Sequence, residues 1–348
     1  MSVSARSARR EFLANVPSTS HGVVSDRNTV AASSVRGPAE RLNADLLSSI
    51  FRHIVAASPI KDTLRLKAIH PLAERAVRSA LTRHGHVRVA VMEPLRFKIV
   101  GMQKVELDTP APNILIQGSR VESLEEALEL LAFLLRSMSC VSRLSLVIED
   151  PESEIAAKLI EALIASEIVR LEVLHLARRE GGKPIEAISG LIRANEETLR
   201  IVGRVGICEA AASFGEKLRL DRLSLMTFDL ASDATTANIL EKLAAIQRSG
   251  ALFKHLSYTS FGGFDPTDER ILQFLDECGV TSLRLTMMRG PSVPPKPDYM
   301  IGKVRKITHL ELGEVVDKPN IVNRLVTHEK LYKKVFPHVE HITFFQRW

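Results

Sequence analysis

Leu220-Asp221-Arg222-Leu223-Ser224-Leu225 spells the phrase apolar-x-x-apolar-x-apolar. The phrase returns at Val141/Leu144/Leu146, Leu171/Leu174/Leu176, Phe253/Leu256/Tyr258, Val280/Leu283/Leu285, Ile307/Leu310/Leu312 and Val339/Ile342/Phe344. A degenerate copy sits at Leu199/Val202. The central positions 144, 174, 202, 223, 256, 283, 310 and 342 are 30, 28, 21, 33, 27, 27 and 32 residues apart. One copy says no more than a buried strand. A whole series in near-register describes a solenoid, in which each repeat buries its apolar face only by stacking on the next.

Between the copies the period changes from two to that of a helix. Ser123 with Glu126 forms an S-x-x-E capping signal before a helix reaching about residue 138. Helices are then expected near 152–166, 185–197, 207–215, 233–249, 267–278 and 320–335, with strands at 143–148, 171–176, 221–226, 254–259, 281–286 and 339–345. Strands separated by helical crossovers pair in parallel. Alternate strand residues point to opposite faces, so Leu283 and Leu285 point inward while Arg284 and Thr286 point out. The rival arrangement of the same elements is a doubly wound sheet. Arg289–Pro297, with prolines at 291, 294, 295 and 297, stands in for a helix as a stiff excursion.

Upstream, His86–Met92 alternates as a half-buried strand does, and short β-like pieces follow at 97–100, 105–107 and 114–116. Leu42, Leu46, Leu47, Ile50, Phe51 and Ile54 lie on one face of a helix over 39–55, which Ser58-Pro59 ends. A second helical stretch runs through Leu64, Leu66, Ile69, Leu72, Val77 and Leu81, divided near Pro71. Residues 1–38 hold five arginines against two carboxylates, half the net charge of +6, with no apolar period. A disordered tail is expected there, with an Arg- and Ser-rich targeting signal as the rival.

Composition narrows the function. The 348 residues are 45% hydrophobic and 25% charged, as in soluble globular proteins, and aromatics are scarce at 5%. No stretch approaches the roughly 20 apolar residues of a membrane span. The remaining positive charge is dispersed, against nucleic-acid binding. Cys140, Cys208 and Cys278 form no paired motif, so buried, reduced thiols are expected rather than a zinc site or a disulfide framework. Gly181-Gly182-Lys183-Pro184 fails the phosphate-loop pattern, and Gly203 and Gly206 lack the third glycine of a dinucleotide fingerprint. The pairs His84/His86 and His338/His341 have no further ligands at metal spacing. No nucleophile motif is present. Neither catalysis nor a metal or other cofactor is expected.

The ladder resembles the leucine-rich-repeat family over about residues 140–345, with degenerate repeats that lack the asparagine often found after the strand phrase. The resemblance implies an α/β horseshoe with the parallel sheet inside and helices outside, spanning 85–348. The 27–33-residue repeats are similar to the ribonuclease-inhibitor and F-box types of horseshoe.

Leu42-Asn43-Ala44-Asp45-Leu46-Leu47-Ser48-Ser49-Ile50-Phe51-Arg52-His53-Ile54 resembles the opening of an F-box, L-P-x-E/D-L-L-x-x-I-F-x-x-L. Thr63-Leu64-Arg65-Leu66-Lys67-Ala68-Ile69 is similar to that family's second segment. Asn43 replaces the usual proline, Ala73 the usual tryptophan, and the connector around 55–60 is longer. The rival for 39–84 is a helical cap on the first repeat. An F-box followed by leucine-rich repeats implies the substrate-recognition subunit of an SCF-type cullin–RING ubiquitin ligase in the cytoplasm or nucleus. It would dock on a Skp-family adaptor through Leu42, Leu46, Leu47, Ile50, Phe51, Ile54 and Leu64. Its protein target would meet the outward strand positions His175, Met226, Thr259, Arg284 and Glu311, or the proline-rich excursion. The alternative is a repeat scaffold or inhibitor with no ligase link. Neither nucleic acid nor membrane is expected as a partner.

Overall fold

The computed structural model describes residues 38–66, 71–100, 103–149, 154–178, 186–227, 236–260, 269–287, 306–314 and 336–346. The tail before residue 38, the proline-rich excursion and the helix expected at 320–335 lie outside them. Asn43–Trp348 cluster as one compact unit.

Three helices come first: α1 (Pro38–Ala57), α2 (Ile60–Arg65) and α3 (Pro71–Thr82). Pro38 suits a first helical position because its missing N–H would be unpaired there anyway. Strands β1 (His86–Val100), β2 (Gln103–Ile116) and β3 (Ser119–Val121) form an antiparallel meander. The rest alternates: α4 (Leu124–Ser137), β4 (Val141–Ile148), α5 (Glu154–Ile164), β5 (Val169–Arg178), α6 (Glu186–Ala194), β6 (Ile201–Gly206), α7 (Ile207–Ser213) and β7 (Arg219–Met226). It continues through α8 (Thr236–Arg248), β8 (Leu252–Ser260), α9 (Glu269–Glu277), β9 (Ser282–Met287), β10 (His309–Glu314) and β11 (His341–Gln346).

All eleven strands belong to one sheet, ordered β11-β10-β9-β8-β7-β6-β5-β4-β1-β2-β3. From β4 to β11 each strand is added beside its predecessor in parallel. Crossovers of one hand then place their helices on one face. Consecutive helices from α3 to α9 pack on one another in chain order.

The eight central positions of the phrase fall into one row of the sheet. Leu144 pairs with Leu174, Leu174 with Val202, Val202 with Leu223 and Leu223 with Leu256. Leu256 pairs with Leu283, Leu283 with Leu310 and Leu310 with Ile342. Val87 extends the row by one strand. From Val87 to Leu310 every member is buried, and all belong to one continuous apolar cluster with the inward helix faces.

The region 86–121 differs from expectation. The separate β-like pieces are one long hairpin of β1 and β2, because its prolines fall where a missing N–H costs nothing. Pro94 lies in a bulge between Met92 and Leu95, and Pro110 and Pro112 lie where β2 has no partner on its other side. The β2–β3 turn is a two-residue loop with positive φ at both Gln117 (48°) and Gly118 (76°), the conformation a tight hairpin needs. A side-chain residue costs about 1–3 kcal/mol there. Gln117 offsets that cost with four hydrogen bonds. Its backbone N–H donates to the Arg88 carbonyl (2.8 Å) and its carbonyl accepts from Ile60 N–H (3.1 Å). Its side-chain oxygen accepts from Arg88 N–H (3.0 Å), and its amide nitrogen meets His84 Nε2 (2.8 Å).

The helices of 60–82 are tied to the sheet. Lys61 N–H donates to Ser119 Oγ (2.8 Å), and Lys61 Nζ donates to the Arg120 carbonyl (2.7 Å) and to Glu126 Oε1 (2.9 Å). Ser123 caps α4 by accepting from Glu126 N–H (3.1 Å), while the Glu126 carboxylate reaches back to Glu122 N–H. The cysteines are all free, but only Cys278 is buried; Cys208 is half-buried and Cys140 is exposed at the strand start, contrary to the expectation of three buried thiols. No helix among the described residues is long and apolar enough to cross a membrane.

Candidate functional site

Two surfaces carry the residues singled out in the sequence. The first is α1. Leu46 and Ile50, one helical turn apart on the same face, are 59% and 45% exposed, the two most exposed large apolar side chains among the described residues. Phe51 packs half-buried against the core, Ile54 is half-buried and Leu64 is buried. The side chains of Leu42 and Leu47 lie outside the described residues. Helix α1 is therefore two-faced: Val55 and Phe51 hold it to the protein, and Leu46 and Ile50 face out.

The second surface is the side of the sheet away from the helices. The residue before each central position forms one row: His86 pairs with Arg143, Arg143 with Val173, Val173 with Ile201 and Ile201 with Arg222. The row continues through His255, Ser282, His309 and His341. The residue after each central position forms the next. Arg88, Ser145, His175 and Gly203 pair in turn, and beyond β6 so do Ser224, Ser257, Arg284, Glu311 and Thr343. None of these side chains is buried, whereas the apolar row between them is buried from Val87 to Leu310.

The interruption at β6 has a local cause. Val202 pairs with Leu223 and Val205 with Leu225, so β6 carries one extra residue, and Arg204 adopts φ 59° in that bulge. Gly203 beside it leaves room for a neighbour: a Cβ there would stand 2.7 Å from His175 Nδ1.

The two rows carry four guanidinium groups, Arg88, Arg143, Arg222 and Arg284, against one carboxylate, Glu311. Glu311 is engaged by Arg284 at 3.3 Å. Histidines bond across strands: His86 Nε2 to Ser145 Oγ (2.9 Å) and His255 Nδ1 to Ser282 Oγ (2.8 Å). Burial first, then repulsion between its protonated form and neighbouring His84, Arg88, Arg143 and His175, pushes His86 down to about 4. His84 is lowered by burial and Arg88, and His255 by burial and Arg222. In all three the shift favours the uncharged ring.

Of the five outward positions expected to meet a target, His175 is exposed, and Arg284 and Glu311 are half-exposed and paired with each other. Met226 and Thr259 are both only 8% exposed. They lie two residues further along their strands than Ser224 and Ser257, where the outward row is covered, so they are not part of the solvated face. Sequence reading missed Arg143, Arg222, His255 and His309. Aligning the copies on their central residue and reading the flanking columns would have found them.

Among the described residues no group of three His, Cys, Asp or Glu side chains is placed to hold a metal. An open cleft where β6 and β7 begin is lined by Glu197, Arg200, Glu216, Lys217 and Arg219, and its charges are partly matched, with Lys217 on Glu197 at 2.8 Å. Comparison with protein-family models and with curated proteins finds no match to the chain.

Proposed function

We propose that the chain is the substrate receptor of an SCF-type cullin–RING ubiquitin ligase, with α1–α3 as an F-box and the repeats as a leucine-rich-repeat horseshoe. The observation that carries the reading is Leu46 and Ile50. Both fall on matching apolar positions of the F-box-like segment, and both are turned to solvent on a helix whose other face is anchored. Large apolar side chains left exposed side by side mark a docking surface. The in-register ladder supports the other half, because stacked repeats with exposed residues flanking the central row offer a long binding surface.

On this reading Leu46 and Ile50 enter the adaptor, Phe51, Ile54 and Leu64 fix the helices that present them, and the outward sheet face takes the target. The receptor performs no chemistry. It raises the concentration of its target beside the conjugating enzyme, in the cytoplasm or nucleus. The test is co-expression with a Skp-family adaptor, wild type beside Leu46→Asp/Ile50→Asp. Both positions are exposed, so the variant keeps its fold; the adaptor is expected to co-purify with the wild type alone. Absence of a complex with folded wild type overturns the reading.

A further inference from the structure

We infer that the outward face of β1 and β4–β7 takes an extended segment of a partner protein in which two carboxylates flank apolar side chains. This names the substrate class of the proposed receptor and rests on that reading for its consequence.

On consecutive strands β4, β5, β6 and β7 the row reads Arg143, Val173, Ile201, Arg222. Arg143 and Arg222 are exposed, and Val173 and Ile201 are half-exposed between them. Among the described residues no carboxylate pairs with either arginine. Neighbouring strands are about 4.8 Å apart, so the two guanidinium groups are rooted about 14 Å apart. An extended chain covers that span in about four residues. The complementary segment therefore carries acidic residues about four apart with an apolar side chain between. Each guanidinium offers a planar fork that a carboxylate fills with two hydrogen bonds. Arg88, on the strand beyond Arg143, extends the cationic end, and Ser145 and Ser224 supply hydroxyls in the adjoining row.

Other occupants fit less well. The chain's own first 37 residues carry a net positive charge and would be repelled. A second copy laid on the same face would set arginine against arginine. A nucleic-acid strand places a phosphate every few ångströms and has nothing apolar for Val173 and Ile201, and neither row holds a Phe, Tyr or Trp from β1 to β10 for its bases to stack on.

The test is fluorescence anisotropy with the full chain and a labelled peptide carrying two glutamates about four residues apart around a central leucine. The expected result is binding at least about tenfold tighter than to the glutamine version of the peptide. Arg143→Gln/Arg222→Gln removes that preference, and the affinity falls as added salt screens the charges. Leu46→Asp/Ile50→Asp leaves peptide affinity unchanged. The inference is overturned if the glutamine peptide binds equally well, if the double arginine variant binds like the wild type, or if a single-stranded oligonucleotide binds more tightly than the peptide. A chain that takes the adaptor and shows no glutamate preference sinks this inference alone. A chain that prefers the glutamate peptide and refuses the adaptor sinks the ligase reading alone.

Discussion

Arg178, the last residue of β5, and Glu209, in α7, form an ion pair whose side chains are 1% and 0% exposed. The Glu209 carboxylate also accepts from Gly206 N–H (3.2 Å), closing the first turn of α7. One carboxylate thus ties two neighbouring repeats and caps a helix, at the place where β6 bulges.

Breaking that pair leaves the Arg178 guanidinium buried without its Glu209 carboxylate. Glu209→Gln is expected to cost about 3–5 kcal/mol in urea unfolding. Arg178→Met/Glu209→Leu recovers most of it, because a buried ion pair is often no better than well-packed apolar groups. A loss below about 1 kcal/mol for Glu209→Gln would contradict the sealed geometry.

The ladder and α1 predict opposite responses to the same truncation. Leu223 is fully buried in the central row, and Leu223→Ala is expected to cost about 2–5 kcal/mol. Leu46→Ala, on the exposed face of α1, is expected to stay within about 0.5 kcal/mol. Comparable losses in thermal or urea unfolding would mean that Leu46 is structural.

Acid sensitivity follows from the half-buried histidines. His86 is lowered from 6.5 to about 4 in the folded chain, so between those values the unfolded chain takes up the proton first. Stability is intact above about 6.5 and falls as pH drops through the window. His84 and His255 are lowered too and act in the same direction. Among the described residues the groups facing His86 are His84, Arg88, Arg143, His175 and Ser145, none of which is a carboxylate. His86→Asn is expected to flatten the slope of unfolding free energy against pH over this range. An unchanged slope would remove His86 from the account.

Thiol accessibility gives a separate check. Cys140 is exposed, while burial pushes Cys278 up to about 12. Iodoacetamide at neutral pH is expected to modify Cys140 readily and Cys278 only after denaturation. Rapid labelling of Cys278 in the folded chain would show that α9 does not seal it.

The row from Leu144 to Ile342 was legible because inward strand positions must be apolar and recur once per repeat. Strand boundaries and most helices followed from the same rule. The long β1–β2 hairpin was not legible, because prolines that break a central strand are harmless at a bulge and on an unpaired edge. The Arg178–Glu209 pair left only a weak signal, an arginine two residues beyond Leu176 in inward phase. The arginine and histidine rows were hidden for another reason. Polar residues flanking a buried position look like ordinary solvated surface until register sets Arg143 and Arg222 at either end of Val173 and Ile201.

The most direct test of the receptor reading is titration of purified chain with purified Skp-family adaptor, beside Leu46→Asp/Ile50→Asp. Saturable binding is expected for the wild type, weakened at least about 100-fold in the variant, with circular dichroism and the urea midpoint unchanged. Absence of binding by the folded wild type, or equal binding by the variant, would contradict the receptor reading.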